Sequence, residues 1–226
     1  MRIAPWMFMA ILVASAGVLA AAPTTSRPDQ ATTAPDPIPL NQDSPRSLLE
    51  TMQKAAEAVD PNVMAACADP AYQKSVKVMY QCMRQFKTSL ESLSKSVEAK
   101  LGKTSGTFVI QTMKDTIPEP LGNAMEDGKV NWDKVKITAD GDKATVKVAG
   151  DAPFTLMKVN GKWHYGQGPI SVEEMAKAAE KVNNQIPKTV KELGDLEDGV
   201  KAGTVTKAEF TRKFRDCLAA FAQGAQ

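Results

Sequence analysis

Apolar positions along this chain recur with two different periods, and the change of period divides it. Tyr72, Val76, Met79, Met83, Phe86, Leu90, Leu93 and Val97 follow one another at alternating spacings of four and three. That is an a/d heptad, and it predicts one straight helix reaching about Leu101, roughly 45 Å long at ~1.5 Å per residue. So narrow a seam packs on another long helix. Met175, Ala179, Val182, Ile186, Val190, Leu193 and Val200 form a looser stripe that can supply it from the same chain. Pro187 is expected to kink or divide that stripe. A second copy of the chain is the alternative partner, which would make the seam an assembly surface.

Other helices carry their own start and stop signals. Residues 46–59 follow Ser44 as cap and Pro45 at the first position. Pro61 opens a short helix that ends at Asp69-Pro70. Another spans 105–117, closed by Pro118 and Pro120. Ser171 with Glu174, and Thr206 with Glu209, are capping boxes. The second opens a last helix with Phe210, Phe214, Leu218 and Phe221 on one stripe.

Between these helices the period drops to two. Asp140-Gly141 and Asn160-Gly161 both read as two-residue hairpin turns. With Asp140-Gly141 as the loop, Val135 faces Val146 and Ile137 faces Ala144. With Asn160-Gly161 as the loop, Lys158 faces Trp163 and Leu156 faces Tyr165. Phe154 joins those aromatics, while Met157, Val159 and His164 share the opposite face. The fold class is therefore α+β: mainly helical, with a small four-stranded antiparallel sheet of two hairpins.

Composition then places the chain. Arg2 precedes an uncharged, mostly apolar run from Trp6 to Ala22, with Val18 and Ala20 ahead of a small-residue cleavage site. Residues 1–20 read as a signal peptide cleaved near Ala20, with a retained anchor as the alternative. Residues 21–45 are a Pro/Thr/Ala-rich leader with little to bury, expected to be disordered. Residues 46–226 are expected to form a single domain. The product is expected to be exported, periplasmic or secreted, with no membrane span after cleavage. Formal net charge is +2, falling to +1 when Arg2 leaves. So even a balance gives no case for nucleic acid.

Candidate chemistry is sparse. His164 is the sole histidine, and Cys67, Cys82 and Cys217 are the only cysteines. An odd count in an oxidising compartment leaves two patterns: three buried thiols, or one bridge such as 82–217. No zinc, calcium or serine-triad pattern is present. No metal or cofactor is expected. Gly102-Lys103-Thr104 lacks the earlier glycine of a phosphate loop and reads as a helix end and loop. Asp195, Glu197 and Asp198 read as an exposed acidic turn. Seven basic residues between Lys74 and Lys103 read as a solvated helix face.

Two segments carry a family resemblance. SPRSLLETMQKAAEAVDPNVMAACADP and KITADGDKATVKVAGDAPFTLMKVNGKWHYG resemble the opening helices and the strands of exported nuclear-transport-factor-2-like (NTF2-like, SnoaL-like) domains. They cover about a quarter of the chain. The resemblance implies a curved sheet wrapped on helices, often around an apolar pocket. That family includes both enzymes and non-catalytic binders, so it fixes no function. The expected role is a non-catalytic binding or interaction domain. Its expected partner is a small apolar ligand or an envelope protein, with Met157, Val159 and His164 as ligand-binding residues. A monomer is expected rather than a dimer. If the pocket is catalytic, His164 is the candidate general base and Asp133 the carboxylate that would orient it.

Overall fold

The computed structural model describes residues 37–116, 121–166 and 170–224. The expected signal peptide and most of the expected leader lie outside these, as do Pro118 and Pro120. Six α-helices lie among the described residues: α1 (Pro45–Ala58), α2 (Pro61–Cys67), α3 (Gln73–Leu101), α4 (Lys103–Thr116), α5 (Val172–Lys201) and α6 (Lys207–Gly224). Strands β1 (Met125–Glu126) and β2 (Lys129–Val130) form a small ribbon. Strands β3 (Val135–Asp140), β4 (Lys143–Val148), β5 (Phe154–Val159) and β6 (Lys162–Tyr165) form a four-stranded antiparallel meander in that order.

Local chemistry explains where these elements begin. Ser44 caps α1 by accepting from the Ser47 amide, and the Ser47 hydroxyl returns the favour at the Ser44 amide. Asp60 accepts from the amides of Asn62 and Val63 to start α2. Between them Val59 takes a left-handed conformation (φ 49), uncommon for a β-branched residue. The end of α1 is held from α3: Arg84 Nε donates to the Val59 carbonyl and Lys87 Nζ to that of Glu57. Part of the basic face of α3 is thus not merely solvated. It satisfies the carbonyls that every helix end leaves open.

The heptad seam is buried inside the chain. Phe86, Leu90, Leu93 and Val97 are fully enclosed, and Ile186, Leu193 and Val200 of α5 lie in the same cluster. α6 adds Phe210, Phe214 and Phe221, with Phe221 stacked on Phe86 at 5.3 Å. The first half of α3 belongs to a second cluster with α1, α2 and the inner face of the sheet. Pro187 does not divide the second stripe, because α5 runs unbroken past it. Pro187 and Asn183, whose carbonyl loses its partner, both face solvent, while Ile186 and Thr189 beside them are buried. Burial along α3 outweighs a local cost of about 3 kcal/mol.

α4 begins directly after Gly102 (φ 93), so Lys103 to Gly106 are helical rather than loop. Gly106 lies against α3, where a Cβ would sit 2.8 Å from Glu98 Cβ. Ser94 Oγ donates to the Gly106 carbonyl across that contact.

The sheet keeps the expected faces but not every expected partner. Lys158 opposes Trp163 and Leu156 opposes Tyr165, around an Asn160-Gly161 turn with positive φ at both residues. In the first hairpin the loop is Gly141-Asp142, not Asp140-Gly141. Ile137 opposes Val146 and Val135 opposes Val148. Only Gly141 has positive φ there, as a type II′ turn requires. The partners move by two, so no side chain changes face. A third such pair, Asp127-Gly128, turns β1 into β2.

Replacing Leu90 by Asp sets an unpaired carboxylate in the helical core. The cost is several kcal/mol against a total stability of about 5–15 kcal/mol. Leu90→Asp should therefore lose its helical circular dichroism as a monomer. A variant that stays folded and changes only its oligomeric state would refute this packing.

Candidate functional site

The expected site residues gather at one edge of the sheet. β6 is an edge strand, and an uncovered edge presents open backbone groups. Two chain segments close it. The Trp163 amide donates to the Gln42 carbonyl, and the Asp69 amide donates to the Tyr165 carbonyl. Gln42 is 7% exposed, so the folded body begins before residue 46 and takes in the end of the expected leader.

His164 sits beneath these segments and is 9% exposed. Its Nδ1 lies 3.1 Å from the Ala68 carbonyl oxygen and 3.1 Å from Gln42 Nε2. The carbonyl can only accept, so Nδ1 carries the hydrogen and donates to it. The Gln42 amide then gives its two hydrogens to the carbonyls of Ala66 (3.0 Å) and Trp163 (2.9 Å). The network thus assigns a hydrogen to Nδ1 of the imidazole. Its partners are backbone and amide groups that join three distant segments.

Met157 lies directly opposite His164, and Val159 follows on the same face; both are half-buried. The three expected ligand residues therefore share one surface. Asp133 does not join them. It is exposed in the turn that leads into β3, at the far edge of the sheet, about 14 Å from β6 at ~4.8 Å per strand. The carboxylate expected to orient His164 is absent from its side of the sheet.

All three cysteines are buried and unbridged. Burial pushes the thiols of Cys67 and Cys217 up to about 12, with Glu192 adding to the effect at Cys217. Burial also raises Cys82, which lies 3.7 Å from Asn183 Oδ1. Protonated thiols are poor nucleophiles and poor ligands. The Tyr80 hydroxyl is buried with no hydrogen-bond partner among the described residues. Burial raises it too, and Cys67 and Tyr165 add to the shift. No group of three or more His, Cys, Asp or Glu among the described residues could hold a metal ion. No described helix is long and apolar enough to cross a membrane.

Glu197 corrects the reading of an exposed acidic turn. It lies within α5, 8% exposed, and its Oε1 receives Ser92 Oγ (2.9 Å), Ser96 Oγ (2.8 Å) and Lys201 Nζ (2.7 Å). Burial raises its pKa, but the hydrogen bonds from Lys201, Ser96 and Ser92 outweigh that and hold it below the usual carboxylate range. The two serines stand one helical turn apart on α3, so the carboxylate pins the α3–α5 register. That serine pair, with the Glu197/Lys201 spacing, was the available signal in the sequence.

An open groove of about 450 Å³ lies between α5 and α6, floored by Leu196, Val205 and Cys217. Of its three carboxylates, Asp195 pairs with Lys191, Asp216 with Arg212, and Glu192 lies against the Cys217 thiol. No protein-family model matches this chain, and neither a curated protein nor a solved structure matches it.

Two outcomes follow from this geometry. His164→Ala removes one of the two donors to the Ala68 carbonyl, the other being Gln73 Nε2 at 3.3 Å, and loosens the edge at a cost of about 1 kcal/mol, measurable by urea unfolding. Unchanged stability would show that the edge does not rely on the ring. Glu197 has a lowered folded pKa, so its contribution is complete above the unfolded value near 4.5 and is lost as pH falls through the folded one. The melting-temperature gap between wild type and Glu197→Gln should be present at neutral pH and close in acid. A gap constant with pH would refute the assignment.

Proposed function

We propose that this chain is an exported, non-catalytic binding domain, and that it binds through the outer face of β3–β6. One observation carries the reading. The inner face of the sheet is core, whereas Lys136, Thr138, Thr145 and Lys147 on the outer face are exposed, beside half-buried Met157 and Val159. The chemically versatile side chains support it. His164 is engaged by a backbone carbonyl and the three thiols are held protonated, so each has a packing role. Export rests on the charged, then apolar, then small-residue order of the first twenty-two residues. The likeness to nuclear-transport-factor-2-like domains is compatible with binding, but the reading does not depend on it.

The test is a native mass spectrum of the protein recovered from the exported fraction of its own cells. A chain beginning near Ala21 and carrying a reproducible added mass is the expected result. A chain retaining Met1 in the cytosol would overturn export. A bare mature mass would overturn stable binding.

A further inference from the structure

The outer face of the sheet is an ordered grid. Lys136 on β3 stands directly opposite Lys147 on β4. The next row is Thr138, Thr145 and Thr155 across three strands. The third is Asp140, Lys143, Met157 and His164. Rows lie about 7 Å apart along the strands, and directly opposed Cβ atoms about 5 Å apart.

Like charges placed directly opposite destabilise a sheet. Elsewhere on this surface lysines find carboxylates: Lys134 with Glu126, Lys162 with Asp43 at 2.6 Å. Among the described residues, no carboxylate stands within ion-pairing distance of Lys136 or Lys147. A repelling pair beside a row of hydroxyls is the complement of a hydrated polyanion.

The chemistry of the face narrows the class. Phe154 and Trp163 point into the core, so no aromatic on this face can stack a base. The large apolar side chains that are well exposed, Leu40 and Val172, lie outside the sheet, so the face offers no wedge for lipid. It also lacks the aromatic and arginine anchors of protein interfaces. Lysines and threonines together suit carboxylates and hydroxyls arrayed on one chain.

Resting on the binding-domain reading, we infer that the outer face of β3–β5 docks an acidic polysaccharide, a uronate-bearing chain. Lys136 and Lys147 clasp its carboxylates, and Thr138, Thr145 and Thr155 meet its hydroxyls. The lysine pair is kept despite its mutual repulsion because the polymer neutralises it.

The experiment measures binding of the full mature chain to immobilised polygalacturonate, with dextran as neutral control and polyphosphate as a charge-only control. Wild type should bind polygalacturonate at low salt, weaken as salt rises, and prefer it to both controls. K136Q/K147Q should lose at least ten-fold in affinity, with a melting temperature equal to or above that of wild type. K188Q/K213Q removes the same charge from the helices and should bind as wild type does. Equal binding by K136Q/K147Q, equal or tighter binding to polyphosphate, or no binding by wild type would each overturn the inference. If such a failure comes with an added mass in the native spectrum, only the polysaccharide is lost. If the mass is bare as well, the binding-domain reading falls with it.

Discussion

Burial of α3 on two sides is the constraint from which the rest of the structure follows. Its 29 residues are too long for one partner to cover. The first half is closed by α1, α2 and the sheet, and the second by α4, α5 and α6. Neither half has an independent core, because each borrows the same helix. α5 repeats the arrangement: Met175 and Ala179 lie in the sheet-side cluster, and Ile186 to Val200 in the helical one. The two long helices splice a small α+β body to a helical bundle.

Polar groups then set the register that apolar seams leave loose. A heptad stripe can slide by one repeat at modest cost. Glu197 reaching Ser92 and Ser96, and Ser94 reaching the Gly106 carbonyl, accept only one alignment. Arg84 and Lys87 do the same for α1. Leaving such a buried partner unsatisfied costs about 1–3 kcal/mol, enough to penalise a slipped alignment.

Periodic features were legible in the sequence; relations between distant segments were not. The heptad, the capping boxes at Ser171 and Thr206, and the face of every residue in β3–β6 follow from local spacing. The register of the first hairpin slipped by two because both Asp140-Gly141 and Gly141-Asp142 satisfy turn chemistry. Alternation cannot tell them apart, since a shift of two preserves faces. Glu197 was misread because its partners on α3 lie about a hundred positions away in the chain. Gln42, 122 residues from His164, looked like leader for the same reason. The candidate site was half visible. Met157, Val159 and His164 do share a face, but strand order carries Asp133 to the opposite edge, and local spacing holds no trace of strand order.

The sheet shows how stability and surface chemistry separate on one element. Inner positions of β3–β6 are chosen by packing, and the closed edge at β6 fixes His164 and Gln42 in that packing. The exposed outer positions of β3 and β4 contribute little to folding, and Lys136 opposite Lys147 opposes it. A residue pair whose local electrostatics weaken the fold, at exposed positions that pack on nothing, is poorly explained by the fold itself. The same argument discounts His164: its ring is enclosed, and a backbone carbonyl and a buried amide account for it. Function in this chain is better sought where the structure gains nothing from the residues than at the rare side chain that first draws attention.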